Sequence, residues 1–170
     1  MIRLALHSDI DAIMRIVRSA QQALADLGID QWQDGYPTRD IIGEDIARGV
    51  GYVATDDYNH PIGYAAILLS GEPAYSQIGE DRWNTPSEYV VVHRLCVDGA
   101  VRRQGVARQL MEFAMHHALD RGITAFRIDT HEGNVRMLQM LNALDFKPTG
   151  IISYDSGLRI AYDLNITDKL

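Results

Sequence analysis

Residues 89–107 read YVVVHRLCVDGAVRRQGVA, and this stretch decides the fold. Tyr89 to Val97 is rich in β-branched and apolar types, as a buried strand requires. Asp98-Gly99-Ala100 breaks the run, two arginines and Gly105 follow, and a strongly helical segment extends from Val106 to Arg121. A strand, a short loop and a glycine at a helix start together make an anion site. The first N–H groups of the helix lack intrahelical partners, and the positive end of the helix dipole points the same way. Arg102 and Arg103 beside that spot favour a diphosphate over a single carboxylate.

Outward from this stretch the chain alternates strands and helices. Ile2 to Leu6 is a short strand candidate. Ser8 reads as a helix N-cap, with Asp11 as a short capping-box variant. Ile10, Ile13, Met14, Val17, Ala20, Leu24 and Leu27 form one apolar stripe, and Gly28 ends that helix. Thr38 caps a shorter helix reaching about Gly49. Gly51–Thr55 and Ile62–Leu69 read as a hairpin around the turn residues 56–61. A long polar loop, residues 71–87, precedes the central strand, and a loop of this length is usually functional or mobile. Ile123–Thr130 is a further strand. Asn134 opens a second core helix, and Phe146–Tyr154 with Leu158–Ile166 reads as a C-terminal hairpin about Asp155-Ser156-Gly157. This order implies an α/β domain with one mixed sheet and helices on its faces.

The chain has 170 residues, 46% hydrophobic and 23% charged, which fits a single globular domain, residues 1–170. A net charge of −7 argues against a nucleic-acid partner, and the arginines at 102, 103 and 108 are a local exception suited to an anionic ligand. No apolar run approaches the ~20 residues of a membrane span, and the start of the chain lacks a secretory pattern. The lone cysteine, Cys96, fits a reducing compartment, so a cytoplasmic location is expected. His116 and His117 point to different helix faces, and no Cys/His spacing resembles a metal site. Gly49-x-Gly51-x-x-Ala54 precedes a strand rather than joining strand to helix, so it is not a dinucleotide fingerprint.

Arg-x-x-Gly-x-Ala after an apolar strand, followed by Asn134-Val-Arg-Met-Leu and Leu144-Asp145-Phe146, resembles the GNAT family of N-acetyltransferases, which bind acetyl-coenzyme A. The resemblance implies a mixed, mostly antiparallel sheet of about seven strands flanked by four helices. It implies that the backbone of Leu95, Cys96 and Val97 receives the cofactor's arm. The pyrophosphate would lie on the N–H groups of Arg103, Gln104, Gly105, Val106 and Ala107, with Arg102, Arg103 and Arg108 adding charge. Asn134 and Arg136 fall where the family contacts the arm and the adenine-side phosphate, although Asn134 is equally good as a helix cap.

Regular alternation along the strand puts Tyr89, Val91, His93, Leu95 and Val97 on one face and Cys96 on the other. His93 resembles a histidine by which serotonin-acetylating members deprotonate the amine, with Val91 replacing their second histidine. Imidazole is suited to that task near neutral pH. The competing reading of His93 is a half-buried structural histidine. The tyrosine with which many members protonate the leaving thiolate is replaced by Leu141, leaving Tyr36, Tyr75, Tyr154 or a water as substitutes. Trp32, Asp34 and Tyr36 in one loop, and Glu72, Tyr75 and Trp83 in another, are the expected substrate contacts, or else loop packing. The expected activity is acetyl transfer by direct attack of a primary amine, most simply a small molecule, with a homodimer as the default assembly. A non-catalytic acyl-coenzyme A module and a protein N-terminal or lysine acetyltransferase are the alternatives.

Overall fold

The computed structural model describes residues 1–86 and 88–169; Ser87, the expected end of the polar loop, lies outside the described residues. The elements are β1 (Ile2–Leu4), α1 (Ile10–Ala25), α2 (Arg39–Ala47), β2 (Gly51–Thr55), β3 (Pro61–Leu68), β4 (Tyr89–Val97), α3 (Val106–Leu119), β5 (Ala125–Thr130), α4 (Val135–Ala143), β6 (Lys147–Tyr154) and β7 (Gly157–Asn165). They build one seven-stranded sheet in the order β1-β2-β3-β4-β5-β7-β6. Only β4 and β5 are parallel neighbours; every other pair is antiparallel. The mixed, mostly antiparallel sheet with four helices is therefore present as expected.

Each face of the sheet carries its own layer. Ala65, Ile67, Val90, Val92, Phe126 and Ile128 pack beneath α3 and α4, whose Leu110, Met111, Ala114 and Leu141 are fully buried. Val53, Tyr64 and Cys96 pack beneath α1 and α2 through Ile13, Ile16 and Ile42. Gly63 lies where α3 meets β3: a Cβ there would come within 2.9 Å of Val106. The start of α1 differs from the sequence reading. A single 3-10 turn, His7–Asp9, precedes it, and Asp9 rather than Ser8 does the local capping. The Asp9 carboxylate accepts from the Leu6 N–H at 2.8 Å and from Arg3, whereas Asp11 is exposed and pairs with Arg39.

Two departures from regular strand geometry position the site. In the β3–β4 pair, Ala66 lies opposite His93 and Tyr64 opposite Cys96, so β4 carries one extra residue. Arg94 in that bulge adopts a left-handed conformation, φ 56°. Alternation reverses there, which corrects the expected facing. His93 and Cys96 share the α1 face, while Leu95 and Val97 join Val90 and Val92 on the α3 face. Separately, β4 pairs with β5 only from Tyr89/Ala125 to Val91/Arg127. Beyond Val91 the two strands part, leaving the β5-facing edge of β4 without a strand partner.

Side-chain contacts hold both departures in place. A left-handed non-glycine residue costs about 1–3 kcal/mol. Arg94 meets that cost with a bidentate contact to the buried Asp45 of α2, Nε to Oδ2 at 2.7 Å and Nη2 to Oδ1 at 2.6 Å. Asp45 also accepts from the Tyr64 hydroxyl at 2.7 Å. The loop before β4 is firmly packed rather than loose. Arg127, fully buried on β5, donates to the carbonyls of Thr85 and Pro86 and pairs with Glu80. Its guanidinium lies between the rings of Trp83 and Tyr89, 4.2 and 4.3 Å from their centres. Asp163 on β7 takes the Asn84 N–H at 2.6 Å.

Removing one partner of a buried ion pair strands the other charge. Asp45→Asn is therefore expected to lower the unfolding free energy by roughly 3–5 kcal/mol, read as a lower urea midpoint.

Candidate active site

Where β4 and β5 part, a cleft of about 1120 Å³ opens, walled by the C-terminal half of α1, the starts of α3 and α4, and the strand ends. At its α3 end, Gly105 caps the helix in a left-handed conformation, φ 80°, and no side chain caps the first turn. The N–H groups of that turn are thus free for an anion. A Cβ on Gly105 would meet no protein atom within 4 Å, so it would project into the space an anion needs. Arg102, Arg103 and Arg108 ring this end. Arg102 donates to the Ser19 carbonyl at 3.1 Å, and Arg108 pairs with Glu112 at 2.8 Å. Val106 and Ala107 also line the cleft; Gln104 does not, and is exposed at its rim. Leu95, Cys96 and Val97 line it along the free edge of β4. Asn134 caps α4 by accepting from Met137 N–H at 3.3 Å and also lines the cleft. Arg136 stands exposed at the same end.

At the other end, titratable side chains from three strands and two loops converge. His93 Nε2 lies 2.9 Å from Glu72 Oε2. The geometry is not that of an aligned hydrogen bond, and Nε2 has no hydrogen-bond partner among the described residues. Contact with His93 holds the Glu72 carboxyl below its ordinary range, outweighing the opposing effect of burial. Asp129, at the end of β5, accepts from the hydroxyls of Tyr75 at 2.8 Å and Tyr154 at 3.0 Å. Burial first, and then the Asp129 charge, push both phenols up, so each stays a neutral donor. Tyr36 accepts from Arg94 Nη1 at 2.7 Å, which ties the α1–α2 loop to the bulge.

The expected substrate residues divide. Trp32, Asp34, Tyr36 and Glu72 line the cleft. Tyr75 and Trp83 do not: they are 1% and 6% exposed and stack in the packed loop, Tyr75 against Tyr89 and Trp83 against Arg127. Their aromatic character serves packing. Leu141 is the fully buried residue of α4, so the position of the family tyrosine faces the core. Cys96 shares the His93 face, against the alternation expected from sequence, yet burial pushes its thiol up to about 12 and leaves it an inert core residue. Arg127, Arg94 and Arg159 escaped the sequence reading. The alternation of Phe126 and Ile128 with Arg127 and Asp129 was the available signal, since it places both polar residues on one face.

An anion cradle at a helix start, an open strand edge and a histidine–carboxylate contact at the far end define an acyl-transfer cleft. A sequence model of the Acetyltransferase (GNAT) family matches residues 12–146, and the chain belongs to that family. A solved GNAT-family acetyltransferase from Streptococcus agalactiae is 36% identical, with a TM-score of 0.83 over 96% of this chain and 93% of that one. A putative acetyltransferase from Staphylococcus aureus is 23% identical, with a TM-score of 0.75 over 98% and 99%. The ribosomal-protein-S18-alanine N-acetyltransferase of Escherichia coli shares the fold at 16% identity, with a TM-score of 0.67 over 98% and 93%. No curated protein matches the chain in sequence. The family implies acetyl-coenzyme A, and the uncapped α3 start, its three arginines and the elongated cleft fit that molecule.

Two outcomes follow from these environments. At pH 8 Cys96 should resist alkylation in the folded protein and react fully once guanidinium unfolds it, as read by mass spectrometry. Glu72 titrates lower folded than unfolded. Its contribution is therefore complete above the ordinary glutamate value of about 4.3 and is lost as pH falls through the depressed one. Glu72→Gln should flatten that acid limb in stability measured by denaturation across pH.

Proposed function

We propose that the chain is an acetyl-coenzyme A-dependent N-acetyltransferase of small primary amines, with His93 taking the amine proton. The observation that carries this reading is the His93–Glu72 contact of 2.9 Å, set beside the open edge of β4. Acetyl-coenzyme A supplies the activated acetyl group. Gly105 to Ala107 and the adjoining arginines would hold its diphosphate, and the main chain of Leu95 to Val97 its arm. The Glu72 carboxylate beside the ring would offset the positive charge that forms there as the amine proton is taken. Of the three tyrosines considered as proton donors, Tyr75 is shut away in the core. Tyr154 commits its hydrogen to Asp129, whereas Tyr36 accepts from Arg94 and keeps its own hydrogen to give. Glu72, at the start of the packed loop, walls the cleft at its acceptor end, which supports a small molecule over a protein segment.

The test follows thiol release from acetyl-coenzyme A across an amine panel, with calorimetry for coenzyme A. Turnover should fall roughly 10²- to 10⁴-fold in His93→Ala. Gly105→Glu should abolish coenzyme A binding, and Arg102→Ala should weaken it by roughly 1–3 kcal/mol. Binding without turnover would identify a non-catalytic acyl-coenzyme A module instead, and absence of binding would overturn the assignment.

A further inference from the structure

Three arginines on the α1 face of the sheet are wholly or partly withdrawn from solvent, and two have acidic partners. Arg94 is clamped by Asp45. Arg127 has Glu80, two carbonyls and two aromatic rings. Arg159, on β7, is 4% exposed and donates only to neutral acceptors: the Leu158 carbonyl at 2.8 Å, the Ser156 carbonyl at 3.3 Å and the Ser156 hydroxyl at 3.2 Å. Among the described residues no carboxylate pairs with it. A buried cation without a counter-charge is unfavourable, and this one lines the cleft.

Its place in the sheet gives the missing anion a meaning. Strand register puts His93 on β4, Asp129 on β5 and Arg159 on β7 on one face. Paired strands lie about 4.8 Å apart, and β4 has parted from β5 beyond Val91, so Arg159 stands across the cleft from His93 by more than two strand steps. β5, which carries Asp129, is the strand between β4 and β7. Acid groups therefore gather where the amine would be deprotonated, and an unanswered guanidinium stands just beyond.

We infer that Arg159 is a carboxylate-binding subsite and that the acceptor is an amino-carboxylate, a free amino acid or close analogue, rather than a simple amine. This rests on the acetyltransferase reading above. The substrate's amine lies towards Glu72, His93 and Asp129, and its carboxylate meets the guanidinium fork, which suits two parallel hydrogen bonds.

The test pairs free amino acids with the amines that lack their carboxylate, such as leucine with 3-methylbutylamine and tryptophan with tryptamine. Each pair is compared by kcat/KM in the thiol-release assay. It is compared independently by thermal shift of the coenzyme A-loaded protein. At least one amino acid should exceed its decarboxylated partner by roughly 10- to 100-fold, and Arg159→Gln should bring that ratio close to one. If loss of the Ser156 contacts leaves Arg159→Gln unfolded, Arg159→Lys, which keeps the charge without the fork, should give an intermediate ratio. Amines acetylated as well as their amino acids, or a ratio unchanged in the variants, would overturn the inference while leaving the acetyltransferase reading intact. Arg159-dependent stabilisation by amino acids without any turnover would uphold the subsite and sink the catalytic reading. Absence of both turnover and stabilisation with every amino acid would overturn the subsite.

Discussion

The Asp45 carboxylate grips the Arg94 guanidinium with both oxygens inside the α2 layer, and this contact fixes a left-handed residue in the middle of the central strand. The extra residue reverses the facing of everything after it. Leu95 and Val97 turn into the α3 layer, and Cys96 turns towards α1. It also lies just past the point where β4 and β5 stop pairing. A free strand edge inside a sheet exposes unmet main-chain groups, which ordinary sheets avoid. Here those groups line a cleft that a long ligand can occupy. The same guanidinium reaches Tyr36, so one buried ion pair sets both the open edge and a residue at the acceptor end.

The two ends of the cleft use different physics. The α3 end relies on main-chain N–H groups and the helix dipole, which need no side-chain ordering and are indifferent to the rest of the ligand. The acceptor end relies on paired side chains: His93 with Glu72, Asp129 with two phenols, Tyr36 with Arg94. These contacts depend on the loop before β4 being fixed. Arg127 supplies that fixation from beneath, holding Trp83 and the Thr85–Pro86 carbonyls, while Tyr89 accepts the Glu72 N–H at 3.0 Å. Glu72 thus stands at the end of a stretch anchored to the sheet at several points.

Much of this was legible in the sequence. Element order, the sheet's mixed character, the apolar stripe of α1 and the glycine start of α3 follow from periodicity and from Gly105, all of which are local signals. What escaped depends on partners far along the chain. Nothing near Arg94 marks a bulge, because an arginine between apolar residues reads as an outward-facing strand position; its partner Asp45 lies 49 residues earlier. Tyr75 and Trp83 look like ligand contacts in a polar loop until Asp129 and Arg127 are seen to meet them. Arg159 fits the polar phase of a hairpin strand, and its burial comes from β6 and the cleft wall. Alternation was a sound rule applied across the one residue that breaks it.

The position of β7 has a consequence for how the chain becomes competent. β5 and β6 are not neighbours: β7, the last strand made, slots between them. Until it docks, Arg127 and Asp129 sit on an uncovered strand, and Asp163 cannot hold the Asn84 segment. Residues from Trp32 to Arg159 must be gathered before the acceptor end exists, and such long-range closures come late in folding. During synthesis the cradle at α3 can form from local sequence alone. The acceptor end waits for the final hairpin, so a nascent or C-terminally truncated chain cannot couple the two.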